Sequence, residues 1–207
     1  MALGPSYGET PLEGEELDAL LPAISALLGE NITKAAVFDL EQGVQEQVTE
    51  RTLTAVLAGD ISLDQLLTDA FVRELHRDLY ADIWVWGGVQ RIREINIGVA
   101  PEQISIQLRE SLDTIRYRWA NTFDWTPRVL GIAAHADVVR IHPFVDGNGR
   151  STRLLADLIH FAAQPSGALE EYDWEVDKPR YIELLRQYDG HRDPTDLASF
   201  VPVRRID

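Results

Sequence analysis

Residues 142–153 read HPFVDGNGRSTR, a stretch that puts one histidine, one carboxylate, two glycines, an amide and two arginines into a chain of formal net charge −15. Apolar residues at helical spacing lead into it from Pro127 through Leu130, Ala134, Val138 and Ile141. Pro143 pushes its predecessor out of the α region, so that helix is expected to end at His142. A new helix is expected from about Asn148 to Phe161, with Leu154, Leu155, Leu158 and Ile159 as its buried stripe. The stretch is therefore a loop that feeds directly into a helix start. Such a start presents unpaired N–H groups and a positive dipole end, and Gly147 and Gly149 allow an anion to approach the backbone.

Arg150 and Arg153, three residues apart, share a helix face away from the leucine stripe and are expected to serve one anion. Asp146 beside such a cradle would repel an anion unless a divalent cation lay between them. Mg²⁺ is held by one or two carboxylates together with phosphate oxygens and water, and so supplies the reason for Asp146. His142 can take a proton near neutral pH. The set amounts to the parts needed to move a phosphorus-containing group onto a hydroxyl. Taken singly, each part has a plainer meaning: a helix-end histidine, an Asp-Gly-Asn-Gly turn, a solvated pair of arginines. Their order and their place at a helix start favour the combined reading.

Composition narrows the partners. With 207 residues, 45% hydrophobic and 26% charged, the chain can bury one substantial core. Thirty-four acidic against 19 basic residues repel a polyanion or an anionic bilayer, so neither nucleic acid nor membrane is expected as a partner. The absence of cysteine excludes disulfides and thiolate metal sites. No apolar run reaches the roughly 18 residues of a membrane span, and MALGPSYGETPLEGEEL lacks the basic start and apolar run of a secretory signal. The expectation is a soluble, cytoplasmic protein.

Elsewhere the pattern is mainly helical. The first dozen residues read as an irregular arm, followed by a helix over about 15–29 broken at Pro22. Further helices are expected over about 33–57, after Ser62, from Thr68 through Phe71, Leu75 and Leu79 to Ile83, from Pro101 to Trp119, through Tyr181, Leu184 and Tyr188 to a stop at Gly190, and over 197–201. Gln164, Pro165, Ser166 and Gly167 read as a loop. Trp84 and Trp86 flank the turn pair Gly87 and Gly88, and RIREINIGV alternates like a strand. A short β-hairpin or extended flap is expected there as the only β structure. His135 reads as a packed or capping histidine, because no third ligand stands at compatible spacing. The tryptophans read as core and flap anchors.

HPFVDGNGRSTR matches the signature of the Fic (filamentation induced by cAMP) family at every specified position. ELHRDLYADIWVWGGVQR resembles that family's helix and aromatic-glycine segment, INIGVAPEQI its flap, and RYIELLRQYDGHRDPTDLASFV its closing helices. GETPLEGEELDALLP resembles the start of the bacterial mobile mystery protein B subgroup. The resemblance implies a mainly α Fic fold, a helical bundle with a short β-hairpin flap over the active site. It divides the chain into an N-terminal helical extension over residues 1–67, able to inhibit, and a Fic core over 68–207. It implies transfer of AMP from ATP to a Ser, Thr or Tyr hydroxyl of a target protein, with release of pyrophosphate. His142 would be the base, and Asp146 would hold Mg²⁺ on the α and β phosphates. Gly147, Asn148 and Gly149 would line the anion hole, and Arg150 and Arg153 would bind the outer phosphates. Ile95, Asn96, Ile97 and Gly98 of the flap would register the target by strand addition, and Tyr181 and Asp189 would contact the base.

Many family members carry an inhibitory helix in which a hydroxyl residue precedes a glutamate by four positions. VFDLEQ approximates it, with Val37 in the hydroxyl place, so Glu41 is expected to pair with Arg153 from the N-terminal extension. The alternative is a solvated carboxylate on an acidic helix. UMP or phosphocholine transfer, or AMP removal, would use the same scaffold, and a non-catalytic nucleotide-binding regulator is the reading from another class. A homodimer is left open.

Overall fold

The structure is a computed structural model that describes residues 12–165 and 169–206. The expected N-terminal arm up to Pro11 and the loop residues Ser166 and Gly167 lie outside the described residues. The chain forms ten helices among the described residues: α1 (Glu15–Asp18), α2 (Pro22–Leu28), α3 (Lys34–Ala58), α4 (Leu63–Leu66), α5 (Asp69–Tyr80), α6 (Ile104–Asn121), α7 (Pro127–Ile141), α8 (Asn148–Ala163), α9 (Lys178–His191) and α10 (Thr195–Phe200).

Local chemistry explains most boundaries. The hydroxyls of Thr33, Thr68 and Thr126 accept from backbone N–H groups in the first turns of α3, α5 and α7, and Ser62 forms a reciprocal capping box with Gln65 on α4. Pro22 separates α1 from α2 by standing at the first position of α2. Pro101 opens a 3₁₀ turn over Pro101–Gln103 that leads into α6. Gly190 does not stop α9, which runs one residue further to His191 and is capped where Arg192 takes the left-handed conformation.

Helix α7 is the centre. Leu130, Ile132, Ala133, Ala134, Ala136, Val138 and Ile141 are all buried, so this helix has almost no solvent face. One side packs with α3, α5, α6 and α8 into the main core. The other, through Ile132 and Ala136, meets Tyr172, Leu184, Tyr188, Leu197 and Val201 in a smaller one. Helix α3 lies across α5 and α8, so the N-terminal helices share the main core.

The β structure stands elsewhere than expected. Strands β1 (Glu170–Tyr172) and β2 (Val203–Arg205) pair antiparallel near the C-terminus, with Glu170 opposite Arg205 and Glu171 opposite Arg204. Opposite charges facing each other stabilise this small ribbon. Residues 91–99 form no strand. Their neighbourhood contributes one isolated bridge, Gln90 to Phe144, and they run as an extended loop whose residues 92–98 are exposed.

Candidate active site

The loop between α7 and α8 is built as its sequence suggests, but residues outside it hold its shape. His142 caps α7 in the left-handed conformation, φ 52° and ψ 62°, which is uncommon for a non-glycine residue. Its imidazole is half-buried. Burial lowers its pKa, the Val139 carbonyl opposes that, the Arg91 charge lowers it further and Asp146 opposes, with a net fall below 6.5. The ring is therefore a neutral base at physiological pH.

Gly147, the cap of α8, sits at φ 74°, and a Cβ there would come within 2.5 Å of the Tyr80 ring. Only glycine satisfies both the angle and the space. Asn148 is buried, and its side chain is committed to the loop: its Oδ1 accepts from the Phe144 N–H at 3.0 Å and its Nδ2 donates to the Phe144 carbonyl at 2.8 Å. What Asn148 can offer an anion is its backbone N–H. The N–H groups of Asn148, Gly149 and Arg150 have no acceptor among the described residues, which leaves the α8 N-terminus open.

Asp146 is exposed, and its Oδ1 accepts from the Gly147 N–H at 2.6 Å. Among the described residues no cluster of three His, Cys, Asp or Glu side chains gathers to ligate an ion. A single exposed carboxylate at the mouth of an anion cradle fits a Mg²⁺ that arrives with phosphate oxygens and keeps several waters.

The two arginines are treated differently. Arg150 lies over the Tyr80 ring at 5.1 Å and forms an ion pair with Glu41, whose side chain is only 8% exposed. The other carboxylate oxygen of Glu41 accepts from Trp84 Nε1 at 2.7 Å. The expected Glu41 to Arg153 pair is thus not formed, and the solvated alternative does not hold either. Helix α3 meets α8 at its first turn, where Arg150 stands. Arg153 begins the next turn, has no ion pair among the described residues, and its charge acts on His135 and Tyr181.

Four residues outside the motif, none of them expected at the site, support the loop. His76 is fully buried and stacks on Phe144 with ring centroids 3.6 Å apart. Its Nδ1 accepts from the Gly88 N–H at 2.9 Å, so Nε2 carries the proton and donates to the Asp146 carbonyl, also at 2.9 Å. Burial lowers its pKa to about 4, which keeps it neutral. Tyr80 shapes the floor beneath Gly147, Trp84 orients Glu41, and Arg91 reaches the His142 carbonyl. A single polar residue at an otherwise apolar helix position, as His76 is, was the one available signal.

Tyr181 comes within range of the Arg153 charge, with its hydroxyl bonded to His135 Nε2, and His135 is the packed histidine expected. Asp189 does not come with it: its side chain is 62% exposed and faces Arg192 at 3.4 Å. The flap residues Ile95, Asn96, Ile97 and Gly98 are all exposed. A cavity of about 1000 Å³ opens between α1, α3 and the α7–α8 loop, lined among others by Phe38, Glu41, Trp84, Val145, Asp146 and Arg150.

Comparison with known proteins gives this arrangement its family. Residues 66–160 match the Fic/DOC family. These residues form a Fic domain. The chain is 34% identical over 105 residues to protein adenylyltransferase fic-1 of Caenorhabditis elegans, covering 48% of this chain and 19% of that protein. A second relative of the same name, from Caenorhabditis briggsae, is 35% identical over 108 residues. The chain thus spans about a fifth of the length of these curated relatives. Among solved structures, a Fic domain containing signaling protein from Bacteroides thetaiotaomicron superposes with a TM-score of 0.60 at 25% identity, covering 86% of this chain and 68% of that one. A fragment of Fic-1 from C. elegans gives 0.55 at 27% identity, covering 75% and 46%. No helix among the described residues is long and apolar enough to cross a membrane.

Proposed function

We propose that this Fic domain is a protein adenylyltransferase that moves AMP from ATP to a Ser, Thr or Tyr hydroxyl of a target protein in the cytoplasm. The observation that carries the reading is the juxtaposition of a neutral His142, an exposed Asp146 and three unpaired N–H groups at the start of α8. The names of the Caenorhabditis relatives support AMP as the group transferred.

In this reaction the target hydroxyl, held along the flap by Ile95 to Gly98, attacks the α-phosphorus while His142 takes its proton. The α–β anhydride bond breaks and pyrophosphate leaves. Mg²⁺, held by Asp146, would neutralise charge on the phosphates. The amides of Asn148, Gly149 and Arg150 bind the polyphosphate, and Arg153 is free to bind its outer part. Tyr181 and, less directly placed, Asp189 stand on the helix proposed to contact the adenine.

Glu41 is the proposed brake. An ATP phosphate that uses Arg150 has to displace the Glu41 carboxylate, which Trp84 holds in place. The test is incubation of the protein with Mg²⁺, ATP and a lysate, followed by intact-protein and peptide mass analysis. An added AMP on a hydroxyl side chain, absent with His142→Ala, is expected. No added AMP from wild type or from Glu41→Gly would overturn the reading.

A further inference from the structure

Arg91 is 3% exposed, yet no carboxylate pairs with it among the described residues. Its donors go to backbone carbonyls instead. Nε donates to the His142 carbonyl at 2.8 Å, Nη1 to Arg93 at 3.0 Å, and Nη2 to Val99. Its own N–H donates to the Pro143 carbonyl at 2.9 Å, and the Val99 N–H donates to Ile141 at 3.2 Å. Burying a cation without a counter-charge is costly unless all its donors are met. A chain keeps such a group where its geometry is needed.

The geometry here is a three-way staple. One branch of the guanidinium holds the carbonyl of a residue in the left-handed conformation, and the other two close the flap at Arg93 and Val99. The Arg93 bond is local, two residues along the chain, whereas the Val99 bond joins the two ends of the segment 91–99. Gly98 completes the contact from the flap side. At φ 88°, it packs so closely that a Cβ would lie 2.7 Å from both Arg91 Nη2 and the His142 Cβ. The flap and the base thus touch through one buried side chain.

We propose that Arg91 is a positioning residue that locks the flap to His142, so that the target segment and the base are held in one register. This rests on His142 being the base. Arg91 touches neither the Asn148–Arg150 amides nor Arg150 or Arg153, so it acts on the target side of the reaction and leaves nucleotide binding alone. Lysine cannot replace it, because one ammonium on a flexible stem cannot serve three carbonyls in a fixed fork.

The test compares wild type, Arg91→Lys, Gly98→Ala and His142→Ala, each also carrying Glu41→Gly. ATP affinity is measured by calorimetry, AMP transfer by kcat and by KM for the acceptor, and flap mobility by amide hydrogen exchange over residues 92–99. For Arg91→Lys we expect ATP affinity within about twofold of wild type and exchange over 92–99 faster by at least about tenfold. Transfer should fall by about 100-fold, the scale on which roughly an ångström of misplacement acts. Gly98→Ala, which leaves Arg91 in place and forces the same contact apart, should reproduce this pattern and decides the matter if Arg91→Lys does not fold. Transfer by Arg91→Lys within about threefold of wild type, or a loss accompanied by equal loss of ATP affinity, would overturn the proposal. If His142→Ala retains transfer, the base assignment fails; if His142→Ala is inactive while Arg91→Lys and Gly98→Ala behave as wild type, only the positioning role fails.

Discussion

Replacing Glu41 should weaken the fold and strengthen nucleotide binding at once, and the structure lets both be sized. The Glu41 to Arg150 pair is 8% and 24% exposed on its two sides. Breaking a fully buried pair costs about 3–5 kcal/mol, and the partial exposure of Arg150 reduces this to about 2–3 kcal/mol. Glu41→Gln keeps an amide oxygen for Trp84 Nε1 and loses only the charge, so its cost should be about 2 kcal/mol. Glu41→Gly also leaves that indole N–H buried without its acceptor, which adds about 1 kcal/mol. Glycine within α3 adds about 1 kcal/mol more, for a total of about 4 kcal/mol. The same contact competes with phosphate for Arg150. Removing about 2 kcal/mol of competition should raise the affinity for Mg²⁺·ATP by about 30-fold. Chemical denaturation without nucleotide and calorimetric titration with Mg²⁺·ATP read the two quantities. Equal ATP affinity in wild type and Glu41→Gln, within about twofold, would refute the competition. Unchanged stability in Glu41→Gly would refute the ion pair itself.

Other expectations follow from the same geometry. His142 has to be neutral to accept a proton, and burial lowers its pKa below 6.5, so kcat/KM should rise with pH to a plateau through a midpoint below 6.5; a midpoint above 6.5 on the acid side contradicts the buried-base assignment. Asp146→Asn should change stability without nucleotide by less than about 1 kcal/mol, since the carboxylate is exposed, yet abolish the extra thermal shift that Mg²⁺ adds to ATP. An undiminished Mg²⁺-dependent shift removes Asp146 from the metal site. His76 has a folded pKa of about 4 against 6.5 unfolded, so the unfolded state binds the extra proton between these values. Stability from this group is complete above pH 6.5 and falls as pH drops towards 4, by up to about 3 kcal/mol. Unfolding free energies across that window should show the fall, and His76→Gln should flatten it.

Much of this molecule is legible in its sequence because the signals are local. Thr33, Ser62, Thr68 and Thr126 mark helix starts through their own hydroxyls, and Pro143 ends α7 through steric exclusion. The unpaired amides of the α8 N-terminus follow from where that helix must begin. The parts that escaped are tertiary. Helical spacing can place Glu41 on a face of α3, but not decide whether it meets the first or the second arginine of α8. The resemblance puts Asn148 in the anion hole without saying which of its atoms faces the anion; that its amide is taken by the Phe144 backbone shows only in the fold. His76 and Arg91 are single polar residues whose purpose exists only once the Asp146 and His142 carbonyls are beside them. RIREINIGV alternates like a strand, yet its backbone partner is a guanidinium. The true strands, Glu170–Tyr172 and Val203–Arg205, are too short and too charged to carry a period of two.

The most direct test of the central claim uses ATP labelled separately at the α- and γ-phosphates, with Mg²⁺, on wild type, Glu41→Gly and Glu41→Gly with His142→Ala. Covalent label on protein is expected from the α position only, increased by Glu41→Gly and lost with His142→Ala. Label from the γ position, or α label that survives without His142, would contradict that claim.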